Sequence, residues 1–392
     1  MGKIDELIQQ YCPEGVEYVP IGDYLSYEQP TRYLVESTKY DDSYTTPVLT
    51  AGQSFILGYT KETSGIFDAS RNNPVIIFDD FTTSFHWVEF SFKVKSSAMK
   101  MLRPTNESKA LFRYLYHCMK NVQYVPGDHT RQWIGTYSQF EIPLPPLPVQ
   151  EAIVNILDRF AVYAAELQAE LQARQQQYNY YRDTLLSFEG REDVQWKKLG
   201  EVASIKTGRR FVRTDIRESG VPCFHYGDIY TYYGLTATKT KGYLDAELAS
   251  KLRFAQPNDV VVVCAGENDM DIGVGVAWLG DEPAVIHDAC CILHHEQNPR
   301  YISHFLRTHN YHLQMKRYVK NGKISSLPAS GLAEALIPIP SLEEQEKIAN
   351  ILDRFDTLVN DLSQGLPAEI EARQQQYEYY RDQLLTFKRK EA

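Results

Sequence analysis

A chain of 392 residues, 43% hydrophobic and 23% charged, is long enough for two or three globular domains and has an ordinary soluble composition. No apolar run approaches the roughly 20 residues that cross a bilayer, and the opening MGKIDELIQQ lacks an apolar signal core. Six cysteines without a CxxC pair point to a reduced, cytoplasmic chain, and a net charge of −10 argues against a protein that coats DNA by overall attraction.

In chain order, a short helix is predicted over 4–11 and strands over 47–49, 75–78 and 85–94, between turns bearing Gly, Asn and Asp. A helix is predicted over 108–119. Pro143, Pro145, Pro146 and Pro148 then close the first globular segment, because a helix interior would not hold them. From Gln150 the period changes. Ile153, Leu157, Phe160, Ala164, Leu167, Leu171, Arg174, Tyr178, Tyr181, Leu185 and Phe188 alternate by four and three, a heptad seam with one polar interruption. The seam predicts a helix over 150–187, roughly 57 Å long at about 1.5 Å per residue. One globular neighbour does not cover a seam of that length, so a second helix is expected against it.

The second globular segment predicts strands over 221–225, 259–264, 274–278 and 285–293, a helix over 299–307 and a basic loop over 320–326. The seam then restarts at Ile348, Leu352, Phe355, Val359, Leu362 and Leu366, and finishes at Arg373, Tyr377, Tyr380, Leu384 and Phe387. Gly365 and Pro367 predict a break between two helices. Residues 1–149 carry 13 basic and 17 acidic side chains, 193–340 carry 17 and 16, and the two seam regions together carry 11 and 18. Nucleic-acid binding would therefore rest on local basic faces.

The seam regions are copies. NILDRF stands at 155–160 and again at 350–355; ARQQQY stands at 173–178 and again at 372–377; YYRDTLL at 180–186 returns as YYRDQLL at 379–385. The offset is 195 residues for the first motif and 199 for the second, a stutter of four in the heptad pattern. Ala165-Glu-Leu-Gln168 is repeated directly as Ala169-Glu-Leu-Gln172; one such unit more or less would change a helix by about 6 Å. Upstream, Ile142-Pro-Leu-Pro145 matches Ile337-Pro-Ile-Pro340, and Val16-Glu-Tyr-Val-Pro-Ile-Gly22 has the shape of Val194-Gln-Trp-Lys-Lys-Leu-Gly200. Five residues separate Phe188 from Val194, so the second copy predicts Phe387 close to Val16.

Catalytic motifs are missing. Gly322-Lys323 has Arg317 where a phosphate loop needs its first glycine, no (N/D)PP(Y/F) tetrapeptide occurs, and Gly273-Val-Gly275 lies in a predicted strand and opens no helix. Asp79-Asp80 with Glu89 and Lys93 lacks the spacing of a nuclease cluster and reads as surface acids. His287, Cys290, Cys291, His294 and His295 lack a second zinc-spaced ligand pair. What remains is recognition chemistry in polar loops. In the first segment these are Gln53 and Ser54; Arg71, Asn72 and Asn73; Thr82 and Thr83; and His129, Arg131 and Gln132. In the second they are Arg209, Arg210 and Arg213; Lys239 and Lys241; Glu267 and Asn268; and Lys320, Asn321 and Lys323. Arg and Lys can address guanine edges, Asn and Gln adenine edges, and hydroxyls or lysines the phosphates.

On the duplicated NILDRF, ARQQQY and YYRD motifs flanking two unlike segments, the chain resembles a specificity subunit of a type I restriction–modification system over essentially its whole length. The resemblance implies two α/β (α+β) target-recognition domains, 1–148 and 190–340. They would be joined by antiparallel coiled-coil spacers, 149–189 and 341–392, in a pseudo-twofold, circular arrangement. It implies double-stranded DNA as ligand, two modification subunits that bring S-adenosylmethionine to methylate adenines, and restriction subunits that cleave using ATP and Mg. The chain itself would carry no catalytic residue and no metal. The competing expectation is a coiled-coil scaffold whose two heads bind proteins; the acidic total charge leans that way, and salt-dependent binding to duplex DNA separates the two.

Overall fold

The computed structural model describes residues 2–52, 54–105, 108–266, 272–320, 322 and 324–391. It divides into two compact units: Met1–Ala165 with Ala372–Ala392, and Glu166–Glu371. The boundary falls inside the seam helices, so each unit holds one globular segment together with parts of both spacers.

In the first unit a four-stranded antiparallel sheet runs in the order Leu25–Glu28, Met99–Pro104, Val75–Asp79, Phe85–Val88. A smaller sheet orders Ile56–Thr60, Thr46–Leu49 and Lys93–Val94, the last two parallel. The second unit repeats this plan. Ala203–Thr207, Cys290–His295, Val260–Val263 and Gly275–Trp278 take the four matching places, with Thr236–Ala237 added at the edge. Gly242–Leu244, Val221–Phe224 and Ala284–Ile286 match the smaller sheet, and the last two are again parallel. In both units the middle of the larger sheet is β-branched and almost wholly buried: Val75, Ile76 and Ile77 in one, and Val260 through Val263 in the other. Two segments with unlike sequences thus share one topology.

Two expected strands are each divided in two. The run 85–94 breaks at 89–92 because Phe85–Val88 belongs to the larger sheet and Lys93–Val94 to the smaller; there Lys93 turns inward, its ammonium meeting Glu62 at 2.9 Å and donating to the Ser64 carbonyl at 2.8 Å. The run 285–293 breaks at 287–289 because Ala284–Ile286 belongs to the smaller sheet and Cys290–His295 to the larger. A continuous apolar run does not reveal that the chain changes sheets between its halves.

The first spacer is one helix, Leu147–Leu185, 39 residues and about 58 Å long. It starts before Gln150 and takes Pro148 into its first turn, where the missing N–H has no partner to lose. The second spacer is two helices, Leu342–Asn360 and Leu366–Leu384. A Cβ on Gly365 would stand 2.5 Å from the Thr357 carbonyl oxygen and 2.8 Å from those of Leu358 and Asp361, so the break needs glycine. Leu362, expected on the seam, lies past the end of the first of these helices and is 77% exposed.

The copies pair crosswise. In the first unit Phe160 stacks on Tyr380 at 5.4 Å and meets Tyr377 at 6.4 Å, while Arg373 lies over Tyr163. One helix advances as the other recedes, so they are antiparallel. In the second unit Phe355 stacks on Tyr181 at 5.3 Å and on Tyr178 at 6.4 Å. The phenylalanine of each NILDRF is held by the tyrosines of the other copy. The end of the chain also returns to its start, as expected: Val16 N–H donates to the Lys388 carbonyl at 2.8 Å, and Tyr18 donates to the Phe387 carbonyl at 3.0 Å.

A second repeated device fastens each globular segment to its spacer. On helix Phe112–Asn121, Arg113 and His117 both donate to Asp158 at 2.8 Å, and Asp158 is the aspartate of the first NILDRF. On helix Pro299–Phe305, Arg300 and His304 both donate to Asp353, the aspartate of the second, His304 at 2.8 Å. Tyr114 donates to the Pro143 carbonyl and Tyr301 to the Pro338 carbonyl, each at 2.9 Å. The Gln150 and Gln345 amides donate to the carbonyls of Pro145 and Pro340 in the same way. Burial pushes His117 and His304 below the ordinary imidazole range, against the opposing pull of their aspartates.

Candidate nucleic-acid interface

Strand direction places some of the polar loops at one end of each unit's larger sheet, after Val75–Asp79 in the first and after Ala203–Thr207 in the second, whereas Lys239 follows Ala237, which pairs with Trp278 at the opposite end of the second sheet. In the first unit the turn after Val75–Asp79 folds onto the loop at 128–133. Asp80 accepts the Trp133 N–H at 2.8 Å, its carbonyl takes the Gln132 N–H at 2.8 Å, and Phe81 lies 5.4 Å from the ring of His129. The third loop, at 50–55, closes on the same sheet: His86 bonds the Gly52 carbonyl at 3.0 Å and stacks on Phe55 at 4.5 Å. Ser54, Thr82, His129 and Arg131 are exposed there. Gln53 lies outside the described residues.

Not every expected residue is available. Thr83 is buried with a left-handed backbone (φ 59°), its hydroxyl donating to the Thr82 carbonyl. Gln132 is buried too; its amide accepts from Tyr124 at 2.7 Å and donates to the Thr130 carbonyl at 2.9 Å. Both build the loop rather than face solvent. Arg71, Asn72 and Asn73 are exposed, but they form the turn closed by the Ser70–Asn73 bridge at the start of Val75–Asp79. That is one strand length, roughly 17 Å, from the other clusters. The supposed surface acid Asp80 is buried and paired with Lys100 at 3.1 Å, and Glu89 accepts from Trp87 Nε1. With Lys93 committed to Glu62, the acids form no nuclease-like cluster.

In the second unit the parallel pair Val221–Phe224 and Ala284–Ile286 is in register, Phe224 opposite Ile286. The next residue on each strand is a histidine, so His225 and His287 emerge side by side with ring centres 4.7 Å apart. They line a cavity of about 370 Å³ with Arg210, Phe211, Arg213, Tyr226, Gly266 and Asp288, among others. Ala265–Gly266 pairs with Ser325–Ser326, and Ala265, Gly266 and Ile324 lie on the cavity's lining. Glu267, Asn268, Asn321 and Lys323 lie outside the described residues. Lys320 is exposed and bridges to Ser326. Lys241 pairs with Asp228 at 3.0 Å, Lys239 is exposed, and Arg209 turns away to donate to the Lys251 carbonyl at 2.7 Å.

His225, Tyr226, His287 and Phe211 were not among the expected contacts. The only signal in the sequence is a histidine ending one predicted strand and another inside a second; that the strands are parallel neighbours is tertiary information. Burial is the main cause holding both imidazoles below their ordinary range. For His225 the neighbouring His287 and Arg213 add to it, and Asp228 and Asp288 oppose it. For His287, Asp288 and the Phe211 carbonyl oppose it and Arg210 adds to it. Among the described residues no group of three or more His, Cys, Asp or Glu could hold a metal ion, and no helix is long and apolar enough to cross a membrane. The cysteines are free, and burial pushes the thiols of Cys118 and Cys223 up to about 12.

Residues 13–174 and 191–372 match the type I restriction modification DNA specificity domain. The chain is 42% identical to the specificity subunit of a type I restriction enzyme from Escherichia coli, over 96% of this chain and 95% of the relative. It is 28% identical to a putative type I restriction enzyme specificity subunit from Haemophilus influenzae, over 86% of each. Among solved structures, the S subunit of a type I restriction–modification system from M. genitalium matches 95% of this chain with a TM-score of 0.56 at 14% identity. A chain from a structure on complex assembly and conformational transition of the type I R-M system matches 95% with a TM-score of 0.59 at 16% identity. At those identities the structural matches speak to the fold.

Proposed function

The chain belongs to the type I restriction modification DNA specificity family, and from that premise we propose that it reads a bipartite duplex sequence with two target-recognition domains. The domains are residues 1–148 and 190–340, on helical spacers 149–189 and 341–392. The observation that carries this reading is that one topology, built twice, sets exposed polar loops of different composition at an end of its sheets. The first unit offers Ser54, Thr82, His129 and Arg131; the second offers Arg210, Arg213 and Lys320 there, with Lys239 at the other end of its larger sheet. Side chains of these types meet base edges and phosphates. Arg71, Asn72 and Asn73, at the far end of their strand, belong to a separate backbone contact or to none.

The chain contributes sequence choice and no catalytic group. Adenine methylation belongs to two modification subunits carrying S-adenosylmethionine, and cleavage to restriction subunits using ATP and Mg, all in the cytoplasm. The modular part is tested by replacing residues 190–340 with those of a relative and mapping methylation in cells that carry the modification subunits. One half of the target changes and the other stays. Change in both halves, or in neither, refutes it.

A further inference from the structure

The cavity beside His225 and His287 is built in a way that selects a ligand. Gly227 N–H donates to His225 Nδ1 at 3.3 Å and Ala289 N–H donates to His287 Nδ1 at 3.1 Å. With Nδ1 an acceptor in each ring, the proton of the neutral imidazole sits on Nε2, so both rings present an N–H donor from that atom. Both residues are nearly buried, 7% and 8% exposed, and Phe211 meets both rings edge-on. The rings are therefore fixed in place. Arg210 and Arg213 stand at the exposed edge, and among the described residues neither forms an ion pair. The other charge on the lining is Asp288, which lies 3.0 Å from His287 Nδ1. Among the described residues, two imidazole N–H donors and two guanidinium groups outside any ion pair stand against one carboxylate, which favours an anion with several acceptor oxygens.

We propose that this cavity is a phosphate pocket, in which Arg210, Arg213 and the Nε2–H groups of His225 and His287 take the oxygens of one backbone phosphate of the DNA. The proposal rests on the reading of the second unit as a DNA reader and assigns to it one sequence-independent anchor. It also makes that anchor pH-dependent. A phosphate favours imidazolium, so binding takes up protons and tightens as pH falls. Arg210, Arg213 and the mutual repulsion of the two rings resist that protonation. Asp288, Asp228 and the Phe211 carbonyl assist it, and the Tyr226 ring packs against both imidazoles.

The test is fluorescence anisotropy on the full chain assembled with its modification subunits, using cognate and non-cognate duplexes from pH 8.0 to 5.5 and at several salt concentrations. The wild type binds both duplexes about tenfold more tightly at the acid end, the gain of hydrogen bonds to a charged donor over a neutral one. H225Q with H287Q keeps a side-chain donor at each site but cannot titrate, so, measured against its own affinity at pH 8.0, it loses most of that gain. R210Q with R213Q, both on the surface, lowers the salt slope of log K by about 1 on either duplex, the loss of one phosphate contact. Inorganic phosphate added at constant ionic strength competes with DNA in the wild type and less so in R210Q/R213Q. Three results overturn the proposal: an unchanged pH gain in the histidine variant, a loss confined to one base position with no change in salt slope, or phosphate binding that leaves DNA affinity untouched. Failure of the underlying reading looks different, since the wild-type complex would then show no salt-dependent duplex binding at all.

Discussion

Replacing Asp353 by Asn tests how a globular segment is fastened to its spacer. The carboxylate accepts from Arg300 and from His304, and the imidazole is fully buried. Each charge-assisted hydrogen bond is worth about 1.5–3 kcal/mol. The Asp353 side chain keeps 28% of its surface and Arg300 22%, so water restores part of what is lost and the lower half of that range applies. Arg300 also retains Asn350 and Glu346. The expected loss is about 3 kcal/mol, which in a unit of this size is roughly 6–12 °C in Tm. Scanning calorimetry on the full chain measures it. D158N in the first unit should behave alike but lose somewhat less, because Asp158 keeps 35% of its surface. The two variants share no partner and should add. The surface pair Glu343–Lys347, 79% and 68% exposed, is the control, and E343Q should leave Tm unmoved. A shift under about 2 °C in D353N, or one no larger than the control, refutes the reasoning.

Stability should fall as pH drops below about 6.5, the ordinary imidazole value. His117, His304 and His312 are held low by burial and His295 is held down to about 4. The unfolded chain then binds protons that the folded chain refuses, so this stability is complete above about 6.5 and is lost as pH falls through the folded values. Calorimetry from pH 8 to 5 should show a flat Tm and then a decline; a rise would have the wrong sign. G365A should cost at least about 2 kcal/mol, because its Cβ would overlap three carbonyl oxygens; urea unfolding checks it, and an unchanged midpoint counts against a strict need for glycine. R131A should leave Tm alone, since Asp80 keeps Lys100. It should weaken binding to all duplexes alike and reduce the salt slope by about 1; a loss restricted to the cognate site would make Arg131 a base contact.

The duplicated spacers were legible because heptad spacing and verbatim repeats are one-dimensional signals: both helices of the second spacer, the break at Gly365 and the return of Phe387 towards the chain start follow from them. The strands were legible as apolar runs but not as members of particular sheets, so 85–94 and 285–293 were each read as one strand. The fastening of the segments leaves a weaker trace. Arg113-Tyr114 with His117 recurs as Arg300-Tyr301 with His304, 187 residues on, but three matched residues on a short helix are faint beside NILDRF. At the loops, composition identified polar clusters without saying which side chains the loop consumes. Thr83 and Gln132 look like ligands in a string of letters, yet burial and hydrogen bonding make them part of the loop.

These differences have a common physical root. Contacts that recur between the units, Asp158 and Asp353, Phe160 and Phe355, Gln150 and Gln345, are made by residues that also recur in sequence. They are buried or half-buried, and substitution there costs packing or strands a charge. The exposed loop residues Ser54, Thr82, Arg210, Arg213 and Lys239 do not recur, and substitution at such surface positions changes stability by less than about 0.5 kcal/mol. A protein that must change what it reads without changing how it is held can vary the second class freely and the first hardly at all. The residues that break this rule are Asp80, Gln132 and Thr83, which sit in the reading loops but are buried. D80N therefore separates the two demands. It removes the partner of a buried lysine, so it should lower Tm by several degrees, as measured by calorimetry, while DNA binding by the remaining folded protein keeps its sequence preference. Altered preference at unchanged Tm would place Asp80 among the readers and break the division.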